Sequence, residues 1–251
     1  MEETGKNPIQ VAERLFQVIE RLAENGPMGI MDLSAELGFH KSTTHRLVTS
    51  LQYMGYIRQD EESLKYALSL KFLEIGSKIL EQTNMASLIH PSLKKLSEQT
   101  GETVHLVRRE GTEAVDIDKV ESTVSSIRMV SRVGSRIPLY CSGVGKALLA
   151  ELPDPEIEDI WNSSEITSLT PYTVTSLSDL MDRIRGVREA GYAMDDEENE
   201  EGVRCIAVSI PDYHKEPVYA LSISAPVSRM TDARIAELST DVLTFKKDLE
   251  K

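Results

Sequence analysis

Residues 37–59 read LGFHKSTTHRLVTSLQYMGYIRQ, and their spacing decides the fold of the N-terminal part of this 251-residue chain. Leu47, Val48, Leu51 and Met54 recur at helical spacing, which predicts a helix from about Lys41 to Met54 stopped by Gly55. A shorter apolar run, Ile30 to Leu37, predicts a second helix closed by Gly38, so only Gly38-Phe39-His40 separates the two. Two short helices across a three-residue turn make a helix-turn-helix. Upstream, Val11, Leu15, Ile19 and Leu22 mark a first amphipathic helix, with Asn7 as its expected N-cap, Pro8 at its first position, Gln10 completing a capping-box-like pair and Asn25-Gly26-Pro27 as its stop. Downstream, Tyr56-Ile57-Arg58, a polar turn at residues 60–63 and Tyr66-Ala67-Leu68 predict a β-hairpin wing. A helical period then returns through Leu73, Gly76 and Leu80. These signals divide the chain into a winged helix-turn-helix at 7–69, a connecting helix at 70–83 and a larger domain at 84–251.

The segment from Leu37 to Gln59 contains no Asp or Glu, while Lys41, Arg46 and Arg58 are cationic and His40 and His45 titratable. The whole chain carries a formal charge of −13, so sequence-blind binding to nucleic acid is disfavoured and any contact with double-stranded DNA must be local. Lys41, Ser42, Thr43, Thr44, His45 and Arg46 open the third helix, where hydroxyls, backbone N–H groups and long cations suit phosphates and base edges. The competing expectation is a solvated face on a small helical domain. The wing and the connecting helix favour DNA.

Beyond residue 83, strand-like runs at Thr103 to Arg108, Ala114 to Lys119, Ile127 to Val133, Cys205 to Ile210 and Val218 to Ala225 mix with helices at Leu88 to Thr100, Val144 to Leu152, Ser176 to Ala190 and from Thr231. This order predicts an α+β domain built on an antiparallel sheet. Gly143-Val144-Gly145-Lys146 falls at a strand-to-helix junction, where N–H groups and the helix dipole favour an anion. A Walker A loop is excluded, because Tyr140 stands where its first Gly belongs and Ala147 follows Lys146. A carboxylate suits the junction; a glycine turn needed only for packing is the plainer alternative. Ser222 and Ser224, two apart in an apolar run, share one strand face. The acidic run from Asp195 to Glu201 reads as a solvated loop or as a divalent-metal site, although it lacks EF-hand spacing.

Composition is ordinary for a globular protein, with 40% hydrophobic and 27% charged residues. The start of the chain has no signal pattern and no apolar stretch is long enough to span a bilayer, so the expectation is a cytoplasmic protein without membrane contact. Cys141 and Cys205 lie far apart in no ligand spacing, which predicts reduced thiols and no structural metal. An enzyme using Cys205 and nearby carboxylates is the rival class, but no local catalytic motif supports it, and neither a cofactor nor a catalytic residue is expected.

Three blocks in order, KSTTHRLVTSLQYMGYI (41–57), GSRIPLYCSGVGKALLA (134–150) and GYAMDDEENEEGVRCIAVSI (191–210) followed by LSISAP (221–226), resemble the IclR family of bacterial transcription regulators. The resemblance runs from about Asn7 to Lys246. It implies a winged helix-turn-helix joined by a helix to a GAF-like effector domain, a homodimer or dimer-of-dimers on promoter DNA, often as a repressor, and a small keto, sugar or aromatic acid as effector. Members tied to sugar-acid catabolism are the most similar. It places Gly143, Val144, Asp195, Cys205, Ser222 and Ser224 around the effector, with Met129 and Ile137 on the apolar wall. Ser126 stands where related sensors can carry a larger apolar residue, which implies a more polar ligand.

Overall fold

The computed structural model describes residues 7–82, 84–122, 131–212 and 216–249. The chain forms two compact units, Met1–Gln82 and Thr83–Lys251.

In the first unit, α1 (Gln10–Asn25), α2 (Ile30–Leu37) and α3 (Lys41–Tyr53) precede a hairpin of β1 (Ile57–Gln59) and β2 (Tyr66–Leu68), and α4 (Lys71–Gln82) follows. Val18 and Leu22 of α1, Leu33 of α2, Leu47, Val48 and Leu51 of α3, and Ile57 and Tyr66 of the hairpin form one core. Each such aliphatic side chain withdrawn from water contributes about 1.5–3 kcal/mol. Gly38 closes α2 at φ 65°, a left-handed conformation that L side chains resist, and its N–H and that of Phe39 bind the carbonyls of Ala35 and Ser34. The turn into α3 is thereby fixed. Asn7 does not cap α1: the helix begins at Gln10 with Ile9 as cap, and the Asn7 side chain instead accepts the Ile9 N–H at 3.0 Å in a local turn. In the wing, Asp60 accepts the Ser63 N–H at 2.9 Å and its hydroxyl at 2.7 Å, and these two bonds hold its carboxyl below the ordinary range.

The second unit runs α5 (Asn84–Thr100), β3 (Thr103–Glu110), β4 (Glu113–Val120), β5 (Arg136–Pro138), α6 (Gly143–Ala150), α7 (Asp154–Ser163), α8 (Leu177–Ala190), β6 (Ala193–Asp196), β7 (Val203–Ile210), β8 (Tyr219–Pro226) and α9 (Asp232–Leu249). The strands form an antiparallel sheet in the order β5-β4-β3-β8-β7-β6. Pro91 lies inside α5, which starts several residues before the expected Leu88. The strand expected at Ile127 to Val133 lies mostly outside the described residues, and residues 131–133 are not strand; β5 takes the edge position instead. Helix α7 and strand β6 were not anticipated.

Strand alternation gives the sheet two unlike faces. Val104, Leu106, Ile206, Val208, Leu221 and Ile223 pack with Ile89 and Leu93 of α5 and Ile235, Leu238 and Val242 of α9. The opposite face meets α6 and α8 through small residues, Ala193, Ala207 and Ala220. Along that face the register aligns Asp195 with Cys205 and Ser224, then Ala207 with Ser222 and His105. Small and polar side chains do not fill the space beneath a helix as Leu or Ile would, and a cavity results.

Candidate functional site

Helix α6 starts where the chain leaves β5. Ser142 caps it, accepting the Gly145 N–H at 3.1 Å while donating to the Pro138 carbonyl at 2.7 Å. The two glycines of this junction have different tasks. A Cβ on Gly145 would lie 2.2 Å from the Leu139 carbonyl oxygen, so Gly145 is needed for packing. A Cβ on Gly143 would meet the Asp195 backbone nitrogen at 3.4 Å, which shows how closely the helix start approaches β6. No acidic residue occupies the first turn of α6 itself, and the acid that approaches its start is Asp195 of β6. Lys146 does not supply a cation to this space. It is buried and paired with Glu198, also buried.

Beneath the helix start lies a small, part-open cavity of about 70 Å³. Ile137, Gly143, Val144, Asp195, Cys205, Ser222 and Ser224 all line it, and so do His105, Asp116, Ser131, Ser142, Asn199, Glu200 and Val203, which the sequence reading did not single out. Met129 and Ser126 lie outside the described residues. Asp195 Oδ1 accepts the N–H groups of Glu198 at 2.8 Å and Asn199 at 3.3 Å. Burial pushes its carboxyl up to about 7, against the opposing pull of Lys146 and of those N–H donors. The acidic run is therefore no freely solvated loop: Asp196 pairs with Arg204, Glu197 accepts the Gly202 N–H at 2.8 Å, and Glu198 pairs with Lys146. Among the described residues no group of three or more His, Cys, Asp and Glu side chains could hold a metal ion.

His105 Nδ1 lies 3.0 Å from Asp116 Oδ2, and both side chains are buried. A β-bulge between Leu106 and Val107 shifts the β3/β4 register so that Asp116, not Ile117, pairs with Val107 and turns to the His105 face. Asp116 Oδ1 and Ser131 Oγ are buried without a hydrogen-bond partner among the described residues. Among the described residues no hydrogen bond joins His105 to Ser222 or Ser224, while the Cys205 thiol lies 4.0 Å from Asp195 Oδ2, a weak S–H contact. Burial pushes the Cys205 thiol up, and the Cys141 thiol up to about 12.

In the first unit, Lys41, Ser42, His45 and Arg46 are exposed along α3 and Arg58 is exposed on β1, while Thr43 is half-buried. Thr44 is a correction to the sequence reading: it is 0% exposed, with its hydroxyl directed at the His40 carbonyl, so it belongs to the core and not to the outward face. The i, i+3, i+4 spacing that exposes Ser42, His45 and Arg46 buries Thr44, Leu47 and Val48.

The family description "IclR helix-turn-helix domain" matches residues 11–61, and "Bacterial transcriptional regulator IclR C-terminal" matches residues 77–250. The chain belongs to the IclR family. Among relatives of this IclR-family protein, the "Transcriptional repressor IclR" of Escherichia coli K12 is 35% identical over 244 residues, covering 96% of this chain and 89% of the relative. The "HTH-type transcriptional regulator KdgR" of the same organism is 36% identical over 234 residues, covering 92% and 89%. The solved structure of the Thermotoga maritima IclR superposes with a TM-score of 0.80 at 31% identity, covering 96% of this chain and 99% of that one. The protein is accordingly a DNA-binding transcription regulator with a C-terminal effector-binding domain, and no helix among its described residues is long and apolar enough to cross a membrane.

Proposed function

We propose that the cavity under α6 receives a small carboxylate and that its occupancy tunes repression through promoter DNA held by α3. The carrying observation is that the start of α6, its first turn free of acidic residues, and the Ser222/Ser224 strand line one cavity. The guest's carboxylate lies at the Gly143-Val144 end, held by N–H groups and by Asp195, which at neutral pH is part-protonated and donates. Keto, sugar and aromatic acids all fit that description, and the several hydroxyls on the walls favour a sugar acid. In the division of labour we propose, residues 7–69 grip DNA, 70–83 connect, and 84–251 sense. Lys41, Ser42, Thr43, His45, Arg46 and Arg58 make the DNA contacts. A homodimer or dimer-of-dimers presents two recognition helices to two half-sites, and exposed apolar side chains on α4 (Leu73, 69%; Ile79, 61%) and α1 (Phe16, 61%) support such an interface. Its place of work is the cytoplasm.

Against the enzyme alternative, burial opposes ionisation of the Cys205 thiol and leaves it a poor nucleophile even beside Asp195. A thermal-shift screen over keto, sugar and aromatic acids tests the proposal. A guest at about 100 times its dissociation constant adds roughly 2.7 kcal/mol of stability. The same acid must then change operator affinity. An acid that stabilises the protein yet leaves operator binding unaltered would refute the regulatory role.

A further inference from the structure

The carboxylate end accounts for only part of the cavity wall. His105, Asp116 and Ser131 also line it, and none of them touches the α6 junction in the hydrogen bonds described above. Asp116 is 0% exposed and has one oxygen bonded to His105, while its other oxygen has no partner among the described residues; Ser131 Oγ is likewise buried and unsatisfied among them. A buried carboxylate oxygen lacking a donor is costly, and such groups in folded proteins are normally satisfied by water or by a guest. The β3/β4 bulge exists at the one place that brings Asp116 to this face. Without it, Ile117 would take the position and the wall would be apolar.

We infer that His105, Asp116 and Ser131 form a second subsite in the effector cavity, one that requires hydroxyl donors on the guest and so selects hydroxylated carboxylic acids over plain ones. This rests on the carboxylate reading above and extends it. A hydroxyl satisfies both orphans, since it donates to Asp116 Oδ1 and can accept from Ser131 Oγ. The sheet order sets the guest's length. Ser222 lies on β8 and Asp116 on β4 with β3 between them, and Asp116 stands level with Ala220, two positions along β8 from Ser222, so the two backbones are about 12 Å apart at the usual strand spacing and rise. A two- or three-carbon acid bound at Ser222 is too short to reach Asp116; a chain of about five or six carbons with hydroxyls toward its far end reaches both Ser222 and Asp116.

Calorimetry on the full chain with gluconate, galactonate, hexanoate and 6-aminohexanoate tests this, together with Ser131→Ala and Asp116→Asn. We expect at least one aldonate to bind about tenfold or more tighter than hexanoate, and both substitutions to weaken the aldonate while leaving hexanoate unchanged. The hexanoate affinity reports that the cavity and the fold survive in each variant. If hexanoate matches or exceeds both aldonates, the second subsite is overturned and the carboxylate reading stands. Tighter binding of 6-aminohexanoate than of either aldonate overturns the hydroxyl assignment in favour of an ammonium group. If none of the acids binds at millimolar concentration, the carboxylate reading falls together with the subsite.

Discussion

Gly145 and Asp195 show how differently two residues of one site can be constrained. Because a methyl at position 145 would press into the Leu139 backbone, Gly145→Ala is expected to destabilise the protein by about 1–3 kcal/mol, read as a lower urea midpoint with an unchanged slope. Asp195 carries a different liability. Its folded carboxyl is raised from 3.8 to about 7, so between those values the folded chain holds a proton that the unfolded chain has released. Stability from this group is full below about 4 and is lost as pH rises toward 7, with a steepest slope of about 1.4 kcal/mol per pH unit. Asp195→Asn, which keeps an oxygen for the Glu198 and Asn199 N–H groups, is expected to remove that slope in denaturation series taken from pH 4 to 8. At this scale Ser222, Ser224 and the α6 junction were legible, because alternation and helix-terminus chemistry are local. Asp116 was not, because strict alternation along β4 does not reveal the bulge that turns it inward.

Among elements, α3 combines a core stripe with an outward cationic row, and the two can be separated by substitution. Arg46→Ala is expected to weaken operator binding without altering the fold, and Lys41→Ala to lower the slope of log affinity against log salt by about 1 if it meets a phosphate. Thr44→Ala is expected instead to cost about 1 kcal/mol of stability in the first unit with no change in salt slope. Denaturation and fluorescence-anisotropy titrations of the three variants check this division. The helix-turn-helix and wing were readable because their periods and stops coincide: Gly38 does adopt the left-handed conformation that its position predicts. Elements whose signals conflict with composition were missed. Strand β6 holds Asp195 and Asp196 within an acidic run that reads as a loop, and it exists because it pairs with β7 and because Lys146 and Arg204 neutralise its surroundings. Helix α7 hides in the same way, with few apolar anchors besides Ile157, Ile160 and Trp161 among acidic residues.

For the whole molecule, a regulator is made only if the guest binds one functional state better than another; tight binding alone shifts no equilibrium. A coupling of the usual size, about 1–3 kcal/mol, changes operator affinity roughly 5- to 150-fold. The proposed dimer makes its own demand, since two recognition helices on half-sites a helical turn or its multiples apart require a stable dimer at working concentration. Sedimentation at micromolar concentration, free and on operator DNA, is expected to show dimers or tetramers, and a strict monomer in both states contradicts it. The most direct test of the central claim is an operator titration of wild type and of the Ser222→Ala/Ser224→Ala double variant, each with and without the acid that stabilises the wild-type chain. An acid-dependent shift of at least about fivefold is expected in the wild type. In the double variant, unchanged acid-free affinity and no shift are expected. A shift of full size in the double variant would contradict the claim and place the effector site elsewhere.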